Sequence, residues 1–248
     1  MGIVALVTDF GTSAYPGILK GVILSIHPAA RIVDLTHAVP PYAVRQGAWL
    51  LYTAYRYFPA GTVFLAVVDP GVGSERQRLA VATGRYYFVG PDNGLLYPAA
   101  SADGIKETVV LPRPPEASLT FEARDIFAPA AARLARGEPL SALGAPGKIK
   151  TRLLFYLEGR EGEVVHVDVF GNIVTNLPPE PGARRYRLTA ANLSLDLPFF
   201  ETYTAAPPGK PFVLTGSAGT LELSVREGSA VALLPLAPGT RVRLEGLP

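Results

Sequence analysis

The segment TVFLAVVD, Thr62 to Asp69, constrains this chain most, because an almost unbroken apolar, β-favouring run makes a strand that must be covered on both faces. Cover on two sides calls for a sheet layered with helices. The preceding residues supply those layers. IVALVT (Ile3 to Thr8) is a second continuous β run, and the turn-rich DFGTSAYPG leads into a helical period of Ile18, Val22 and Ile26 beside Leu19 and Ile23, with Pro16 in the first turn. ARIVDLTH reads as another strand and VRQGAWLLYTAYRYF as another helix. Strands joined through helices form βαβ units, so a mostly parallel sheet with right-handed crossovers is expected. RLAVAT and RYYFVG, separated by Gly84, read as an antiparallel hairpin, and ARDIFAPAAARLARG as one more helix with Asp125 near its start and Gly137 at its end.

Beyond that helix the pattern changes. EPLSALGAPGKIK is rich in Pro and Gly and lacks periodicity, which places a boundary between about 138 and 155. Short strand signals then recur between turns: EVVHVDVF, NIVTNL, RRYRLT, PFVLTG, TLELSVRE, AVALLPL and RVRLEG. Such a series makes a small barrel or a sandwich. The expected fold class is therefore α/β, with an N-terminal α/β domain over 1–145 and an all-β C-terminal domain over 156–248.

Composition narrows the chemistry. There is no cysteine, which excludes disulfides, thiolate nucleophiles and Cys-based zinc sites. The three histidines, His27, His37 and His166, form no close pair or HExxH, so no metal site is expected. A net charge of +2 without a Lys/Arg run argues against nucleic acid as partner. No basic n-region precedes Ile3, and no apolar run reaches the roughly 20 residues that span a bilayer, so a cytoplasmic location and no membrane partner are expected.

Four segments bring polar residues to the ends of expected strands: TDFG (8–11), VVDPGVGSER (67–76), VGPDNG (89–94) and FGNIVTN (170–176). In a parallel sheet the carboxyl ends of strands border the ligand crevice, and Asp9 and Asp69 each follow a strand directly. Each could accept hydrogen bonds from a ribose diol, or cap a loop. Arg76 lies close enough in sequence to fold back on Asp69, either orienting a small polar reactant or forming a surface ion pair. VVDPGVGS fails the GxGxxG spacing, so its glycines read as room for close backbone approach rather than as a phosphate cradle. PDNG is turn chemistry, Asn172 fits either an adenine edge or an Asx turn, and His37 reads as a structural hydrogen-bonding residue.

Taken in order, LVTDFGT, KGVILSIHPAARIVDLTHAVPPYAVRQGA, FPAGTVFLAVVDPGVGS, YFVGPDNGLL, RDIFAPAAA, VHVDVFGNIVTN and GTLELSVREGSA resemble the S-adenosyl-L-methionine hydroxide adenosyltransferases, relatives of fluorinase and chlorinase. The resemblance implies a C-terminal β-barrel and a homotrimer with active sites between one subunit's N-domain and its neighbour's C-domain. It also implies hydrolysis of S-adenosylmethionine, as substrate rather than cofactor, to adenosine and methionine, with no further cofactor. By the same resemblance Asp9 holds the ribose hydroxyls, Tyr42 lies beside the sugar, Asp168 and Asn172 bind the methionine amino group and adenine, and Ser217 contacts the methionine carboxylate. Ala218 stands where fluorinases have an Arg.

The hydrolase branch of that family carries an Asp-Arg-His set around the attacking water. Asp69 and Arg76 match its first two members, whereas fluorinases have a Tyr at the position of Asp69. The third member stands in TFHGRD, which here reads TFEARD, so Glu122 takes the place of the His. Two nearby carboxylates resist ionising together, which makes Glu122 the expected base and Glu122→Gln an expected loss of about 10² in rate. A halide-using adenosyltransferase is the rival enzyme, disfavoured because the Asp69 carboxylate repels an anion. A protein that binds adenosine or S-adenosylmethionine without turnover is the rival outside enzymes.

Overall fold

The computed structural model describes residues 2–190 and 193–248. The chain divides into two compact units, Met1–Leu154 and Phe155–Pro248.

The first unit is built on a seven-stranded sheet. Its strands are β1 (Ile3–Thr8), β2 (Arg31–Thr36), β3 (Val63–Val67), β4 (Arg78–Ala82), β5 (Tyr87–Pro91), β6 (Glu107–Val110) and β7 (Ala145–Pro146), in the order β2-β1-β3-β5-β4-β6-β7. The pairs β1–β2, β1–β3 and β3–β5 are parallel, and β4 pairs antiparallel with both β5 and β6. The apolar run that dominates the sequence becomes β3, at the centre of the parallel part, with every residue buried. Its cover comes from helices α1 (Tyr15–Ile26), α2 (Val44–Ala54), α3 (Tyr97–Ala102) and α4 (Ala128–Ala135). On one side Leu19 and Ile23 of α1 and the alanine-rich face of α4 pack with Val4, Leu6, Val63 and Leu65. Small side chains on α4 let it lie close to the sheet.

Two local outcomes matter for the site. The helix expected over ARDIFAPAAARLARG is real but begins with a π-helical turn, Ala123–Phe127, before α4. Turns of that kind arise where the regular ladder is interrupted, and here the interruption follows Glu122. The Pro/Gly-rich stretch after α4 is held to the first unit: β7 pairs with β6, and the amides of Lys150 and Thr151 donate to the Asp92 carboxylate at 3.0 and 3.1 Å.

The second unit is a nearly closed antiparallel barrel. Its strands are β8 (Glu161–Val167), β9 (Ile173–Thr175), β10 (Arg185–Ala190), β11 (Leu193–Pro198), β12 (Pro211–Thr215), β13 (Leu221–Val225) and β14 (Arg241–Leu247), in the order β11-β10-β14-β8-β9-β13-β12. The Phe200 amide donates to Val213 O at 2.9 Å and Phe199 bridges Val213, which brings the end of β11 to β12 across the gap. Alternation along β10 sends Tyr186, Leu188 and Ala190 inward to Leu223, Val242 and Leu244. The expected strand AVALLPL is instead a short helix, α5 (Ala230–Leu233), whose Val231 amide donates to Gly171 O and so leaves the ladder.

Candidate active site

The register of the sheet creates the site. Thr8 of β1 lies beside Val67 of β3, so the residues that follow, Asp9 and Asp69, emerge together at one end of the parallel strands. They border a cavity of about 600 Å³ that is also lined by Phe10, Tyr42, Phe121 and Glu122. That volume suits a small-molecule ligand.

One wall is fixed by hydrogen bonds between loops. Gly11, with φ of 57°, donates its amide to His37 O at 2.8 Å, and Thr8 Oγ1 is hydrogen-bonded to His37 Nδ1 at 2.8 Å. His37 Nε2 lies 3.0 Å from Asp34 Oδ1. His37 is thus tied to the backbone end of β1 rather than directed at the cavity. Burial works to raise the Asp34 carboxyl, but the hydrogen bonds from Lys20 and His37 outweigh it and hold Asp34 below its ordinary value. Tyr42 is exposed, has φ of 67°, and donates its amide to Asp9 Oδ2 at 3.0 Å.

A ring cluster makes the next wall. Phe10, Tyr15 and Phe121 meet edge to face, with Tyr15 and Phe121 centroids 4.9 Å apart. Arg124 lies over Phe121 at 5.2 Å and is paired with Asp125, whose pKa is lowered chiefly by that hydrogen bond. These aromatic groups were not singled out in the sequence. Phe10 lies within the TDFG turn and Tyr15 just beyond it, and the folding of that turn around Gly11 brings both to Phe121.

The floor of the site is a charged cluster. Arg76 folds back on Asp69 as its spacing allows: Nε donates to Asp69 Oδ1 at 2.8 Å and Nη2 donates to Asp69 Oδ2. Nη2 also donates to Glu122 Oε2, and Arg78 Nη1 donates to Glu122 Oε1 at 3.3 Å. The Arg76 guanidinium carbon lies 5.7 Å from the centre of the Phe127 ring. Two carboxylates therefore face two guanidiniums, and the formal charges cancel within the cluster. Cancellation of this kind is what lets charges stay buried. The side chains of Asp69 and Arg76 are 5% and 9% exposed and that of Glu122 is 0% exposed. Asp69, Arg76 and Glu122, which the sequence reading grouped, are brought together; Arg78 is a member it missed.

Gly73 holds the Asp69–Arg76 loop in place. Its φ is 79°, and a Cβ there would stand 2.5 Å from Leu119 O, on the segment that carries Ser118 and Thr120 along the cavity.

The remaining expected ligands lie in the second unit. Asp168 is half-buried in the β8–β9 connection, where Oδ1 accepts the amides of Phe170 and Asn172 at 2.9 Å and Oδ2 accepts Asn172 Nδ2 at 2.9 Å. Asn172 is buried, with its amide held by that contact. Ser217 is exposed in the turn between β12 and β13. Glu222 lies nearby in sequence on β13 and accepts Tyr203 Oη at 2.5 Å and Ser224 Oγ at 3.1 Å. Among the described residues no group of three His, Asp or Glu side chains could hold a metal ion, and no helix is long and apolar enough to cross a membrane.

Residues 4–144 match the sequence model of the SAM hydroxide adenosyltransferase N-terminal domain, and residues 162–243 match that of the C-terminal domain. The chain belongs to the SAM hydroxide adenosyltransferase family. A relative from Thermus thermophilus named (R)-S-adenosyl-L-methionine hydrolase is 42% identical, covering 97% of this chain and 98% of its own. One of the same name from Salinispora arenicola is 38% identical over 97% of each chain. A fluorinase from Actinoplanes sp. is more distant, at 28% identity over 90% of each. Among solved structures, an uncharacterized conserved protein from Thermotoga maritima superimposes with a TM-score of 0.89 at 35% identity, covering 98% of this chain and all of that one. Family membership accounts for the pairing of an α/β unit with a barrel that the sequence reading expected.

Proposed function

We propose that this SAM hydroxide adenosyltransferase hydrolyses S-adenosyl-L-methionine to adenosine and L-methionine by in-line attack of water at C5′. The observation that carries the reading is the Asp69–Arg76–Glu122 cluster on the floor of the cavity, with relatives named as hydrolases over almost the whole chain. The sulfonium sulfur leaves as a neutral thioether, so no acid is needed on the leaving side. The task left to the protein is to orient one water opposite the C–S bond and to accept its proton as the C–O bond forms. The carboxylates supply the acceptor, and Arg76 fixes their geometry.

In this reading Asp9 receives the ribose hydroxyls through charge-assisted hydrogen bonds, and Tyr42 stands beside the sugar. Asp168, Asn172 and Ser217 bind the methionine and adenine ends. The active form is a homotrimer with sites at subunit interfaces, in a cytoplasmic setting; no cofactor takes part.

Incubation with S-adenosylmethionine in ¹⁸O-water tests the reading, using each sulfonium epimer separately because the relatives' names specify R. Equal amounts of adenosine and methionine, with label in the adenosine 5′-hydroxyl, are expected. Halide added to the same assay is expected to give no 5′-halo-adenosine, since the Asp69 carboxylate repels an anion. Binding without product would leave only the sensing role.

A further inference from the structure

We infer that Glu122, paired with Arg78, is a positioning residue that fixes Arg76, and that Asp69 takes the proton of the attacking water. This rests on the hydrolytic reading above and assigns roles within it. Glu122 borders the cavity, but its side chain is 0% exposed with both oxygens taken up by guanidiniums, whereas Asp69 keeps 5% exposure on the cavity floor. A base must reach the proton it removes within hydrogen-bond distance. Glu122 is also spoken for on both sides: Oε2 accepts from Arg76 and Oε1 accepts from Arg78.

The way Arg76 is held points in the same direction. Nε and Nη2 grip Asp69 as a fork, and Nη2 is shared with Glu122. Nη1 is buried with no hydrogen-bond partner among the described residues, and the guanidinium lies near the Phe127 ring. A guanidinium with these contacts has little freedom to rotate away, and Glu122 is the hydrogen-bond partner that comes from outside its own loop. Were Glu122 paired with Arg76 alone, two carboxylates would share one cation and repel each other across it. Arg78 removes that imbalance. It stands at the start of β4, its side chain 20% exposed, with its own carbonyl accepting the Leu111 amide at 2.8 Å. The other charged groups around the cavity are Asp9 and the Arg124–Asp125 pair, which stay unchanged in the variants that test this.

The test is the pH profile of kcat for adenosine release. Glu122→Gln keeps an acceptor for Arg76 but removes a negative charge beside Asp69. We expect a loss of about tenfold or less, with the acid limb moving about one pH unit lower. Arg78→Gln leaves the cluster with excess negative charge and should move the acid limb up by about the same amount. Arg78→Lys should restore it, and the double variant Glu122→Gln/Arg78→Gln should bring it back toward the wild type. A loss of 10² or more in Glu122→Gln, with the acid limb abolished, would show that Glu122 is the base and overturn the assignment. An unmoved limb in Arg78→Gln overturns the role of Arg78. Should that variant fail to fold, the charge-balanced double variant and Arg78→Lys carry the test, with circular dichroism confirming their fold. A wild type that releases no adenosine overturns the hydrolytic reading and this assignment together; active wild type with the wrong limb shifts overturns only the assignment.

Discussion

The backbone amide of Tyr42 donates to Asp9 Oδ2 at 3.0 Å, joining the loop after β2 to the end of β1. This bond uses one lone pair of the carboxylate and turns the rest of Asp9 toward the cavity. It also holds Tyr42 at a φ of 67°, a conformation that costs a residue with a Cβ roughly 1 kcal/mol.

Asp9→Asn should therefore fold normally, because an amide oxygen still accepts from Tyr42, while losing the charge that strengthens hydrogen bonds to a diol. A fall in kcat/KM of about 10- to 100-fold is expected, carried mainly by KM. Steady-state kinetics beside a thermal melt separates the two effects; equal losses in both would assign Asp9 to stability alone.

Gly73→Ala places a methyl group against Leu119 O and forces alanine to adopt a positive φ. Destabilisation of about 1–3 kcal/mol is expected, and kcat should fall because the loop that displaces carries Asp69 and Arg76. Denaturant unfolding and kcat on the same preparation check this. Wild-type values in both would show that the loop moves freely.

His37→Leu removes one of two partners of the buried Thr8 hydroxyl, leaving the Phe10 amide, and one contact of Asp34. The cost should be about 1–3 kcal/mol of stability. The acid limb of kcat should stay in place, since His37 is a tie between strands. Its disappearance would make His37 the proton acceptor.

Glu222 gives a pH signature in the barrel. Burial is the largest effect on it and raises its pKa; the hydrogen bonds from Tyr203 and Ser224 oppose this, and Asp168 adds to the rise. A carboxyl raised on folding favours the protonated form in the native state. Its stabilising contribution is complete below the unfolded value near 4.5 and is lost as pH climbs through the raised native value. Glu222→Gln, which keeps an acceptor for Tyr203 and Ser224, should melt higher than the wild type at pH 7 and show a flatter dependence of Tm on pH. Parallel Tm curves for the two proteins would place the titration elsewhere.

The sequence was most readable where one physical demand dominates. β3 is buried on both faces and so shows an unbroken apolar run, and the turn at Gly84 announces the β4–β5 hairpin. AVALLPL carried an equally apolar run and became α5, since a short run of this kind lacks the length for periodicity to separate strand from helix. β11 escaped notice for the opposite reason. It lies at the end of the strand order and buries only Leu197 fully, which leaves the alternation of LSLDLP without force. Within the site, the pairing of Arg76 with Asp69 spans a short loop and could be anticipated from spacing. Arg78 could not, because its contact with Glu122 joins β4 to the residue before the π-helical turn, and nothing local to either segment refers to the other.

That long-range contact bears on engineering. Since Arg76 pairs with both Asp69 and Glu122, and Arg78 pairs with Glu122, a change at 69, 76, 78 or 122 alters the charge balance at the other three. A loop transplanted from a relative into residues 69–78 would import its chemistry only alongside a suitable residue at 122.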